Sequence, residues 1–238
     1  MSAFDVPGMA VAVVQDGRTV LARGYGVRRM GGEVRVDAHT RFGIGSNTKG
    51  MTAALLAMLV DEGRVRWEDP VVDHLPDFTL ADTAASRSVT LQDLLAHRSG
   101  LGMGAGDLLV FPASTLSSAE VVARIGRLPL AGRLRSGFRY NNMNYVAAGA
   151  VIEAATGLAW DEAVRQRLLE PIGMPDASTS AAEYDAMGNW AAPHRVIGGR
   201  LQPVDPAVFD NGAAQFPVAS YSAALVLASV IPIGSRSR

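Results

Sequence analysis

The sequence predicts an α+β fold: an antiparallel sheet flanked by helices, followed by a mostly helical lobe. Three observations predict it. Near the start, two apolar β-type runs flank an Asp-Gly pair. A glycine-rich connection then leads into a stretch rich in Ala, Leu and Met. From about residue 65 to 185, capping patterns and apolar periodicity recur without strand alternation.

The elements follow in order. Val11 to Val14 reads as a strand, and Thr19 opens a second strand running to about Tyr25. Asp16-Gly17 between them is a hairpin signal, because this pair tolerates the left-handed turn that matches strand twist. Arg41-Phe42-Gly43-Ile44-Gly45 connects to Ser46, and Met51 to Leu59 reads as a buried helix that stops at Gly63. Thr90 with Asp93, and Ser117 with Glu120, are capping-box patterns that open short helices. Tyr145 to Ala155 and Trp160 to Leu169 read as helices ending at Gly157 and before Pro171. The expected organisation is an N-terminal part of the α/β lobe over 1–64, a helical lobe over 65–185, and a return toward the α/β lobe over 186–212. Residues 213–238 form a divergent tail: from Asn211 to Ser235 there is no charged residue.

Composition excludes several functions. A net charge of -1, with no basic run, gives no field for nucleic acid or anionic lipid. The absence of cysteine removes disulfides, thiolate metal sites and Cys nucleophiles. The start, Met1-Ser2-Ala3-Phe4-Asp5, lacks the basic and apolar regions of a signal peptide, which implies a cytoplasmic protein if this is the true N-terminus. The apolar run from Ala223 to Val230 is too short to span a bilayer. The four histidines, His39, His74, His97 and His194, show no metal-ligand spacing and read as loop or helix-end residues. No cofactor is implied.

One count points to chemistry. Of 22 basic residues, Lys49 alone is a lysine. Arginine cannot be deprotonated in a protein, whereas lysine can be when its pKa is pushed down. Ser46 stands three residues before Lys49 at the start of the expected helix, where the two can touch. A serine hydroxyl needs a proton acceptor to become a nucleophile, and a neutral lysine supplies one. The helix N-terminus also places the Ser46 N–H where an oxyanion would develop. Tyr140-Asn141-Asn142 adds a phenol able to shuttle a proton and, at Asn142, an amide able to hold a substrate or the lysine. Gly43 to Gly50 is not a phosphate loop, because Lys49 follows Thr48 and precedes Gly50. No G-x-S-x-G elbow exists.

Ser46-x-x-Lys49 followed by Tyr140-x-Asn142 resembles the class C β-lactamase and penicillin-binding serine hydrolase superfamily, which includes family VIII carboxylesterases and D-amino-acid peptidases. Asp5 to Val11, Phe42-x-Ile44-Gly45-Ser46, Leu94-Leu95-Ala96-His97-Arg98-Ser99-Gly100-Leu101 and Pro171-Ile172-Gly173-Met174 extend the likeness over roughly residues 5 to 212. The resemblance implies that Ser46 is acylated, that Lys49 and Tyr140 carry protons, and that Asn142 positions substrate. The implied partner is a small-molecule or peptide acyl donor: a β-lactam, an ester or a D-amino-acid amide. Members of this family are often periplasmic or secreted.

The resemblance also sets an expectation of truncation. The family's third motif, Lys or His with a small residue and Gly, has no counterpart here, since no lysine follows Lys49 and His194-Arg195-Val196 does not fit. The tail that replaces it loses charge and likeness together, as a frameshift would produce. The sheet is therefore expected to be incomplete, with an open edge for association. An alternative to an active hydrolase is a catalytically impaired remnant that at most binds such substrates or is acylated by them.

Overall fold

The computed structural model describes residues 1, 3, 5–111, 114–179, 183, 186 and 188–205, and the backbone of 221–223 and 227–229. The chain opens with a hairpin, β1 (Gly8–Gln15) and β2 (Arg18–Gly26), paired antiparallel with a register shift between Val13 and Val14. Asp16 and Gly17 take φ of 51° and 71° at its turn, as a two-residue hairpin of the Asp-Gly type requires. The short strand β3 (Arg41–Gly43) leads through a 3₁₀ turn, Gly45–Asn47, into α1 (Thr48–Asp61). Helix α1 therefore starts earlier than its Ala-Leu-Met run suggests.

Short helices follow: α2 (Val71–His74), α3 (Thr83–Ser88), α4 (Leu91–Leu95) and α5 (Ser118–Ile125). Both expected capping boxes form, Thr90 with Asp93 on α4 and Ser117 with Glu120 on α5. Helix α6 (Asn142–Thr156) ends on Gly157, whose φ of 74° closes the last turn. Helix α7 (Trp160–Val164) continues as a π-helical segment, Arg165–Leu169.

Every residue of α6 from Met143 to Ile152 is buried. A helix apolar all round belongs in the middle of a body rather than on its surface. Leu55, Leu56 and Leu59 of α1, Phe78, Val146 and Val151 of α6, and Trp160 of α7 meet in one core. The Trp160 indole N–H donates to Thr52 Oγ1 at 3.2 Å, so the largest core side chain leaves no orphaned donor.

The sheet portion is small. Strand β4 (His194–Ile197) pairs antiparallel with β5 (Arg200–Pro203). His194 thus lies on a strand, not in a loop or at a helix end, and its Nε2 accepts from the Met30 N–H at 2.9 Å. The described backbone of the tail forms two further strands. Strand β6 (Tyr221–Ala223) runs antiparallel to β3, and β7 (Leu227–Ser229) runs parallel to β1. Backbone hydrogen bonding needs no charge, so a charge-free apolar segment can still extend a sheet. Strand β7 pairs with β1 along Ala12–Val14, and the sheet order is β2-β1-β7. The other tail residues lie outside those described.

Candidate active site

Gly45 brings the chain to Ser46 with φ of 50°. A Cβ there would meet nothing within 4 Å, so conformation rather than space calls for glycine. Ser46 sits exposed in the 3₁₀ turn, and Thr48 carries the chain into α1. Lys49 follows inside the first turn of α1 and is only 6% exposed.

The structure brings all four sequence-predicted site residues together. Lys49 Nζ donates to Ser46 Oγ at 3.1 Å and to Asn142 Oδ1 at 2.8 Å. The Tyr140 hydroxyl donates to Ser46 Oγ at 2.5 Å. Lys49 Nζ also lies 5.0 Å from the ring centre of Tyr140 and 5.4 Å from that of Tyr145. Burial lowers the Lys49 pKa below the ordinary lysine value, against the opposing effects of the Tyr140 phenol and the Asp107 carboxylate. Lysine is the one cation in this set that can lose its proton, and its surroundings favour that loss.

Tyr140 and Asn142 flank the start of α6. Asn141 between them caps that helix, its side chain accepting from the Met143 N–H at 2.8 Å. The Asn141 amide also donates to the carbonyls of Gly102 and Ala105 at 2.7 and 2.8 Å. Asn141 is fully buried, and it ties the 102–105 loop to the cap. Sequence reasoning passed over it, although an Asn before an apolar helical run is a cap signal.

The sequence makes His97 a loop or helix-end residue, and the structure gives it a larger part. Its ring lies 4.5 Å from the Tyr140 ring and 5.2 Å from that of Tyr145. Its Nδ1 accepts from the Asn141 N–H at 3.1 Å, and its carbonyl accepts from the Arg139 N–H at 2.9 Å. His97 thus braces the segment that delivers Tyr140. Burial, then the charge of Lys49, push its pKa below the usual imidazole value. Asp107 is the second omission: its Oδ1 accepts from Asn142 Nδ2 at 3.0 Å. Nothing in the sequence joins Asp107 to a residue so distant in the chain. Among the described residues no group of His, Cys, Asp and Glu could hold a metal ion.

A buried lysine and a phenol thus both bond the hydroxyl of one exposed serine just before a helix. The family model described as Beta-lactamase matches residues 2–230, and the chain belongs to that family. The match runs on past residue 212, where the motif likeness ends, into the charge-free tail. An unguisins hydrolase, ungD', from Aspergillus campestris is 30% identical over 217 residues, covering 87% of this chain and 40% of that protein. A penicillin-binding protein homologue from Pyrococcus abyssi, described as octameric, superposes with a TM-score of 0.78 at 26% identity, covering 92% of this chain and 51% of that one. The D-amino acid amidase of Ochrobactrum anthropi SV3 shares the fold, with a TM-score of 0.77 at 23% identity over 93% of this chain and 62% of its own. The chain therefore spans less than two thirds of the length of each.

Proposed function

We propose that this chain carries the acylation machinery of a serine hydrolase that acts through an acyl-enzyme. The observation that carries the reading is the bond from buried Lys49 to Ser46 Oγ. When Lys49 is neutral, the same contact reverses and the Ser46 hydroxyl donates to the Nζ lone pair. Ser46 Oγ then attacks the acyl carbon while its proton passes to Lys49. Tyr140, bonded to the same oxygen, gives its proton to the departing nitrogen or oxygen and regains one from Lys49. Asn142 holds Lys49 in place and offers its amide to the substrate. Water later releases the acyl group and restores Ser46.

The acyl donor is a β-lactam, an ester or a D-amino-acid amide. The family match supports this range, and the D-amino acid amidase named among the similar proteins lies within it. Incubation with a fluorescent penicillin, followed by mass spectrometry, tests the reading. An adduct on Ser46 is expected in the wild-type chain and none in Ser46→Ala. Lys49→Arg, which keeps the charge but cannot give up its proton, should slow acylation by about 10²- to 10⁴-fold. Release of the adduct on standing marks turnover, and a stable adduct marks a chain that is acylated but impaired. Equal labelling of wild type and Ser46→Ala would sink the assignment. Nitrocefin, p-nitrophenyl butyrate and D-alanyl amides then separate the donor classes.

A further inference from the structure

We propose that Asp107 is a positioning residue of this site, whose carboxylate holds the Asn142 carboxamide in the one orientation that turns its oxygen toward Lys49. A carboxamide has an acceptor end and a donor end. Asn142 Oδ1 accepts from Lys49 Nζ at 2.8 Å, and Asn142 Nδ2 donates to Asp107 Oδ1 at 3.0 Å. An ionised carboxylate only accepts, so the NH₂ end alone can face it. Flipping the amide would set oxygen against carboxylate and NH₂ against ammonium. A neutral partner that both donates and accepts would tolerate either arrangement.

Asp107 is itself held. It opens a 3₁₀ turn, Asp107–Leu109, after Gly106, and its N–H donates to the Gly104 carbonyl at 3.1 Å. Gly106 has φ of 88°, and a Cβ there would lie 2.6 Å from Met143 in the first turn of α6. The loop therefore presses against the same turn that carries Asn142, and Asn141 pins it there through Gly102 and Ala105. The chain Asp107–Asn142–Lys49–Ser46 runs unbroken from an anchored anion to the nucleophile.

The groups acting on Lys49 come from every side. Tyr140 comes from the segment before α6, Tyr145 from α6, His97 from the turn after α4, and Asp107 from the 3₁₀ turn. Asp107 is the carboxylate among them, and its charge favours the ammonium form that burial opposes. The catalytic meaning of the proposal rests on the acyl-transfer reading; the geometry does not.

Because Lys49 is the sole lysine, ¹³C-lysine labelling gives one Cε signal, whose movement with pH reports its titration directly. The midpoint in Asp107→Asn and in Asp107→Ala is expected to fall below that of the wild-type chain by about half a pH unit or more. An unchanged or raised midpoint in both variants would overturn the proposal. If neither variant folds, the wild-type chain decides. The Asn142 carboxamide ¹⁵N–¹H pair should be inequivalent and slow to exchange with solvent, and a freely exchanging pair overturns the inference. Failure of Ser46 to be acylated would sink the acyl-transfer reading and leave this measurement intact.

Discussion

His97 holds φ at 54°, in the left-handed region where histidine is more tolerated than most side chains but still strained. The strain is maintained because ring and backbone are both engaged, the ring by Asn141 and Tyr140, the carbonyl by Arg139. Its Nδ1 accepts a hydrogen bond, so the neutral ring with its proton on Nε2 is the form that fits. Burial and the Lys49 charge lower its pKa in the folded chain, and the unfolded chain binds that proton more readily. Stability should therefore fall as pH drops below the unfolded imidazole value of about 6.5 and level off below the folded one. Asparagine also tolerates positive φ, so His97→Asn removes the ring without adding backbone strain. Urea midpoints from pH 7.5 to 5 should decline more in wild type than in His97→Asn, at a difference no steeper than about 1.4 kcal/mol per pH unit. Parallel declines would remove His97 as the cause. The motif Leu94 to Leu101 was legible in the sequence, but the work of its histidine was not. That work depends on rings from Tyr140 and Tyr145, which only folding brings near.

At the scale of elements, α4 shows how a local signal acquires a distant use. Thr90 and Asp93 form the capping box that the spacing predicts. The Asp93 side chain is also completely buried, and it bonds Arg98 at 2.9 Å and Arg135 Nε at 2.9 Å. Burial alone would raise its pKa, but Arg135 and Thr90 together hold it below the ordinary carboxylate value. The Arg135 N–H donates to the Arg98 carbonyl at 2.8 Å, so α4, the His97 turn and the segment leading to Tyr140 share one anchor. Asp93→Ala leaves the Thr90 cap on the residue-93 N–H but removes the carboxylate half of the capping box and the acceptor for two guanidinium groups. It should cost about 2–4 kcal/mol, read as a lower urea midpoint. Because the folded pKa is depressed, the wild-type advantage is present above the unfolded carboxylate value and is lost as pH falls through the folded one. A loss confined to the cap, under about 1 kcal/mol, would show that the arginines contribute little. The cap was readable from three-residue spacing; Arg135 was not, because charge pairs far apart in sequence leave no periodicity.

Across the whole molecule, burial is concentrated in α1, α6 and α7, while β4 and β5 carry mostly exposed side chains, with Val196 65% exposed. Local opening costs least where few apolar contacts are broken. Hydrogen exchange should therefore protect the amides of α6 and α1 longest, and those of 194–203 should exchange first among the described elements. Slow exchange in the β4–β5 hairpin would show that something covers it in solution. The site draws from both regimes. Lys49 and Asn142 stand on the most buried helices, whereas Ser46 sits exposed on a turn. On the proposed reading, a rigid base then stands beside an accessible nucleophile, which suits attack on a substrate arriving from solvent.

The sequence by itself determined the hairpin, the two capping boxes, the α+β class and the pairing of Ser46 with Lys49. Each of these rests on residues a few positions apart, where backbone geometry dictates the neighbours. The lone lysine singled out its position by chemistry, since no arginine can act as a base. Tertiary structure decided what meets across the chain: Tyr140 on Ser46, Asn142 on Lys49, Asp107 on Asn142 and His97 under Tyr140. It also set β6 beside β3 and β7 beside β1. Those contacts depend on how apolar faces pack, and packing is a property of the assembled core that no local spacing encodes.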